Sequence, residues 1–199
     1  MREWAMTFIR TVPPDEASGL PAEHYEADRA TFGDVTNMTR AFSLQPEAYA
    51  AWGQLIGAVK AGMDLRRYEL ATLAAARRLR SSYCMLAHGQ VLAEQFLDAD
   101  AVRALASGEQ PAGIDGADRA VMALAEKVAA DATSVTQADI DGLRDHGLPD
   151  SEILGVILAA SARCFFSKVL DATGAQPDRR FAALDAGLRD ALTVGRPIA

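Results

Sequence analysis

Residues 64–88, DLRRYELATLAAARRLRSSYCMLAH, decide the fold class, because they read as two successive helices that carry chemistry on their inner faces. Asp64 is a good N-cap for a helix over Leu65–Arg80, and Ser82 can start another that continues to about Phe96. At 100° per residue, Leu65, Thr72, Leu73 and Ala76 fall within about 60° of Glu69, while Arg67 and Arg78 lie nearly opposite. Glu69 therefore leaves the middle of an apolar face, where an unpaired carboxylate is costly. It must be hydrogen-bonded, share a proton or shift its pKa. Such an acid serves either the scaffold, tied to a helix end or an arginine, or chemistry. Cys84 and His88 are four residues apart and share a helix face. In a first helical turn, free backbone N–H groups and the dipole favour a thiolate at Cys84. The plainer alternative makes Cys84 a small core hydrophobe and His88 a satisfied core histidine.

On either side of this stretch alanine, leucine and glutamate dominate and β-branched alternation is almost absent, so an all-α chain is expected. Residues 1–20, with Pro13, Pro14 and Gly19, read as an extended arm. Helices are expected over Pro21–Phe32, near Val35–Phe42 and from Pro46 to about Ala61. The stretch 107–113, SGEQPAG, reads as a linker that divides one domain of residues 1–199 into a first half, 21–106, and a second, 114–199. Beyond it, helices are expected at about Ala117–Ala132, Gln137–Asp145, Ser151–Thr173 and Asp178–Leu192. Thr136 and Asp139 form a capping-box pattern for the second of these.

Half of the 199 residues are apolar and 24% are charged, which is ordinary for a globular protein. A net charge of −7 argues against a nucleic-acid partner, and the arginines between Arg66 and Arg80 spread around their helix. The first residues lack a signal-peptide pattern. The longest apolar run, Ile153–Ala162, is about half a membrane span and reads as a buried helix. Cytoplasmic localisation is the expectation, with both cysteines as thiols. No residues have convincing metal spacing, since Cys84 and His88 offer only two ligands, and no cofactor motif is present. His24 and His146 read as surface residues.

Overlaying the halves at an offset of 83 residues places Glu69 on Glu152, Ser81 on Cys164, Tyr83 on Phe166 and Cys84 on Ser167. This suggests a duplicated helix hairpin. In that alignment Cys164 takes the place of Ser81, and its context, Ala162-Arg-Cys-Phe-Phe166, favours a core role.

Taken together, Glu69-x11-Ser81-x-Tyr83-Cys84-x3-His88 resembles the signature of the AhpD-like alkylhydroperoxidases within the carboxymuconolactone decarboxylase superfamily. Trp4, Ala17-Ser-Gly19, Arg40-Ala-Phe-Ser43 and Pro46-Glu47 are similar to its peroxidase-related subgroup. The resemblance implies an AhpD-like helical bundle and an antioxidant oxidoreductase that reduces hydroperoxides with an external thiol. By position it makes Cys84 the attacking sulfur, His88 its orienting or polarising partner and Glu69 a proton relay, with Ser81 and Tyr83 in support. Ser81 departs from the family pattern, which has the first cysteine of Cys-x-x-Cys there, so no disulfide can close within the motif. Two alternatives follow. One is a cofactor-free lyase, decarboxylase or isomerase acting on a small organic acid, with Glu69 and His88 as acid and base and Ser81 as a substrate contact. The other is a non-catalytic helical assembly. Alanine-rich faces favour a homo-oligomer in each case.

Overall fold

The computed structural model describes residues 7–199; Trp4 lies outside them. Ten α-helices and no strands are found among the described residues. They are α1 Leu20–Phe32, α2 Asn37–Phe42, α3 Pro46–Ala61, α4 Leu65–Leu79, α5 Ser82–Gln95, α6 Ala99–Ser107, α7 Gly116–Asp131, α8 Gln137–Asp145, α9 Asp150–Thr173 and α10 Ala186–Leu192.

The starts follow side-chain capping. The Oδ1 atoms of Asp64, Asp98 and Asp115 accept from the N–H groups of Arg67, Ala101 and Asp118 at 3.0, 2.7 and 2.8 Å. Thr36 caps α2, so that helix begins two residues later than expected. At α8, Asp139 Oδ2 accepts from the N–H and hydroxyl of Thr136 at 2.6 and 2.8 Å, as the capping-box pattern anticipated.

α4 is the central helix. Tyr68–Ala76 are buried without interruption, because α7, α9 and α5 pack around it. Its alanines allow those neighbours to approach from several sides at once. α4 stops at Arg80, whose φ of 57° is left-handed, and Ser81 is extended before α5 begins. That break folds α5 back along α4 and brings Cys84 and His88 to the interior.

Three expectations need correction. α6 lies where no helix was anticipated; Asp98 caps it, Val102 and Leu105 enter the core and Gly108 ends it. The single helix expected over Asp178–Leu192 is instead a 3-10 turn, Arg179–Ala183, followed by α10. Asp185 restarts the helix there by accepting from the Leu188 N–H at 3.0 Å, and Phe181, Leu188 and Leu192 are all buried. The segments related by the 83-residue offset also differ. Residues 69–84 cross the break at Arg80, whereas 152–167 lie within unbroken α9, so Cys164 is not on a second hairpin turn.

At 24 residues, α9 is far longer than the apolar run that marked it, and its composition would suit a membrane span. Its inner face, from Ile153 to Leu170, is instead buried in the protein, and the helix packs against α4, α7 and α3. The described part of the arm crosses the surface: the Phe8 N–H donates to Thr173 O at 2.7 Å and the Val12 N–H to Ser43 Oγ at 2.9 Å. The C-terminus returns to α5, where a Cβ on Gly89 would stand only 2.6 Å from Leu192 Cδ2.

Candidate functional site

Cys84 is the third residue of α5 and is 1% exposed. Its sulfur is buried but has polar company. Ser167 Oγ lies 3.1 Å away and Arg163 Nη1 3.4 Å away, one turn apart on the inner face of α9. Arg163 is 4% exposed and reaches no carboxylate among the described residues. Its guanidinium lies over the rings of Trp52 and Phe166, 5.8 and 5.5 Å from their centroids. These two rings stack on one another, and Phe42 and Tyr49 extend the column. Burial works against the charge of Arg163, but Cys84 and Tyr68 outweigh it and hold the group above the ordinary arginine range.

The second part of the site comes from α3, α4 and α5. Glu69 Oε2 lies 2.5 Å from His88 Nδ1, and Glu69 Oε1 lies 3.5 Å from Lys60 Nζ. The acid on the apolar face of α4 is therefore paired on both oxygens. Burial pushes its pKa up, but His88 and Lys60 outweigh burial and the net shift is downward. For His88, burial and the Arg163 charge push the pKa down to about 4, against the pull of Glu69. A neutral His88 donates Nδ1–H to the Glu69 carboxylate and keeps a lone pair on Nε2. Lys60, the partly exposed end of this chain, sits 4.8 Å over the ring of Tyr68, and Tyr68 meets His88 edge-on at 6.2 Å.

Cys84 and His88 share a face of α5, but no hydrogen bond joins them; the sulfur is held from α9 and the imidazole from α4. Arg163 connects the two groups: its Nη1 lies 3.4 Å from the sulfur, and its charge helps lower the His88 pKa. The supporting residues point elsewhere. Ser81 is fully buried and its hydroxyl has no hydrogen-bond partner among the described residues; it lies beside Asp171, whose pKa burial raises and Ser81 only partly draws back. Tyr83 donates to Asp178 Oδ2 at 2.6 Å and accepts from the Met38 N–H at 3.2 Å, within a buried network that also holds Asn37. Both cysteines are free thiols; Cys164 is half-buried on the flank of α9, and its burial raises its pKa. No group of three or more metal-binding side chains is found among the described residues.

Sequence reasoning missed Arg163, Ser167, Lys60 and Trp52. Arg163 had a readable signal, since a charged residue between the apolar run 153–162 and Phe165-Phe166 of the same helix poses the same problem as Glu69 in α4. Lys60 had none, because its role depends on how α3 crosses α4.

No protein-family model matches the sequence, and no curated protein is similar enough in sequence to match. Solved structures do match. An uncharacterised peroxidase-related protein from Ralstonia eutropha JMP134, described as an alkylhydroperoxidase AhpD core, has a TM-score of 0.77 at 20% identity, covering 88% of this chain and 94% of that one. A peroxidase-related protein from Silicibacter sp. TM1040 gives 0.76 at 21% identity, over 90% and 95%. A debrominase in complex with 2,3,4-tribromopyrrole gives 0.70 at 14% identity, over 94% and 97%. The fold is AhpD-like along nearly its whole length.

Proposed function

We propose that this chain is a peroxidase-related thiol enzyme that reduces hydroperoxides through the single sulfur of Cys84. The observation that carries this reading is the placement of a buried sulfur in a helix's first turn, against an arginine and a hydroxyl, beside a separate Lys60–Glu69–His88 chain. The sulfur would attack the distal peroxide oxygen, forming an S–O bond with its own electron pair as the O–O bond breaks. The departing oxygen takes a proton through His88, and an alcohol leaves. With no cysteine at position 81, an external thiol would attack the resulting sulfenic acid to give a mixed disulfide and water. A second thiol would then release Cys84. Near-complete burial of the sulfur favours small hydroperoxides. The tribromopyrrole complex of the debrominase supports a small-molecule ligand in this fold.

The test is trapping of sulfenic acid after mild hydroperoxide treatment, read by peptide mass spectrometry. Label on Cys84 and not Cys164, lost in Cys84→Ser, is the expected result. An unlabelled Cys84 in folded protein would overturn the reading.

A lyase or isomerase acting on a small organic acid is the second reading, favoured by a Glu69–His88 pair that forms without help from the sulfur. Turnover that survives Cys84→Ser and fails in His88→Ala would select it. Either enzyme is proposed to work as a homo-oligomer, because α3 and α9 expose Leu55, Leu154, Leu158 and Phe165. A reducing cytoplasmic setting, with both thiols free, belongs to the same proposal.

A further inference from the structure

A buried guanidinium normally has a carboxylate. Arg163 has none within reach among the described residues, and Trp52 and Phe166 supply only the partial compensation of ring faces. Glu69, the buried acid of α4, is engaged by His88 and Lys60 on both oxygens. Two groups beside Arg163 can become anions, the Cys84 thiol and the Tyr68 phenol, and a thiol gives up its proton more readily than a phenol. Ser167 Oγ, 3.1 Å from the sulfur, supplies a second donor, and the first turn of α5 adds its dipole. His88 cannot supply the counter-charge, because burial and Arg163 keep the ring neutral.

We propose that Arg163 is the permanent counter-cation of a Cys84 thiolate and, with Ser167, its positioning residue, while His88 only carries protons. The inference concerns the same sulfur as the proposed peroxidase, but it makes a separate statement about the resting protein. The groups facing the sulfur are then distinct in role: Arg163 and Ser167 from α9 hold charge and direction. His88 from α5, Glu69 and Tyr68 from α4 and Lys60 from α3 form the proton path beside it. This arrangement also accounts for a buried arginine in a long, apolar helix.

The test is the ultraviolet thiolate band of the full-length protein at neutral pH, taken as a difference against Cys84→Ser so that Cys164 cancels. The band should be present in the parent protein, survive in Arg163→Lys and His88→Gln, weaken in Ser167→Ala and disappear in Arg163→Met. Absence of the band from the parent, its persistence in Arg163→Met, or its loss in His88→Gln would each overturn the proposal. Should Arg163→Met fail to fold, the parent, Arg163→Lys, Ser167→Ala and His88→Gln still decide. A second readout is thermal. Cys84→Ala leaves Arg163 unpaired and should lower Tm, and adding Arg163→Met should restore part of it; strictly additive losses count against the pairing. A thiolate band without sulfenic acid formation would sink the peroxidase reading and leave this one standing. Sulfenic acid without the band would do the reverse.

Discussion

His88 carries a dependence on pH that can be worked out in sign. Its pKa lies near 4 in the fold against 6.5 for a free imidazole. As pH falls below 6.5, the unfolded chain takes up a proton that the folded protein refuses, so stability is complete above about pH 6.5 and is lost progressively toward about 4. Glu69, held below its ordinary value, adds to the same slope at more acidic pH. Calorimetric Tm against pH should show this decline, and His88→Gln should flatten it between pH 6 and 5; an unchanged slope in that variant would remove the assignment. Glu69→Leu is a related test. It leaves the His88 Nδ1–H without an acceptor in a buried site, and the expected cost is about 1–3 kcal/mol in urea denaturation, larger than for Glu69→Gln. Glu69 was legible before any coordinates because a helical wheel shows a carboxylate in an apolar face. The wheel shows that a partner must exist but not which one. Ser81 and Tyr83 show the same limit: a position in the motif does not give direction, and the Tyr83 hydroxyl faces Asp178 while Ser81 lies beside Asp171.

At the level of elements, the break between α4 and α5 does most to build the site, since it is what turns Cys84 inward. Arg80 sits there at φ 57° without being glycine. Arg80→Gly should be tolerated to within about 1 kcal/mol, whereas Arg80→Val should cost about 1–2 kcal/mol more, because a β-branched residue resists the left-handed region. Equal stabilities for the two variants would show that the turn relaxes elsewhere. Helices with a side-chain cap and an unbroken apolar period were readable, as at Asp64 and at Thr136 with Asp139. α6 carries the same signals, Asp98 followed by Val102 and Leu105, but they are masked by the more conspicuous glycine and proline of 107–113. The region after Asp178 failed in the opposite direction. Its composition suits one helix, but burying both Phe181 and Leu188 requires a restart at Asp185.

Across the whole molecule, composition was enough to read an all-α chain, and a motif of about twenty residues pointed to the AhpD-like fold. Which helices touch was not readable, because alanine-rich faces fit many partners. The structure closes with a polar tie between distant parts of the chain. Asp178, just before the C-terminal segment, accepts from the Asn37 N–H at 2.7 Å and from the Tyr83 hydroxyl at 2.6 Å, and Asn37 Nδ2 donates to Gln176 O at 2.9 Å. Thr36 next door donates to Asp28 through its N–H and its hydroxyl, which adds α1 to the same knot. Asp178 is 8% exposed and Tyr83 3%, so removing the carboxylate strands two buried donors rather than returning them to water. Asp178→Ala should therefore cost about 2–4 kcal/mol, measured as a shift of the urea midpoint, with Asp178→Asn recovering part of the loss because the amide oxygen still accepts. A double change, Asp178→Ala with Tyr83→Phe, should cost less than the two single changes summed, since the phenol no longer needs an acceptor. If the effects add, the hydroxyl and the carboxylate act independently, and the tie from α5 to the C-terminal segment must come from Leu192 packing on Gly89 instead.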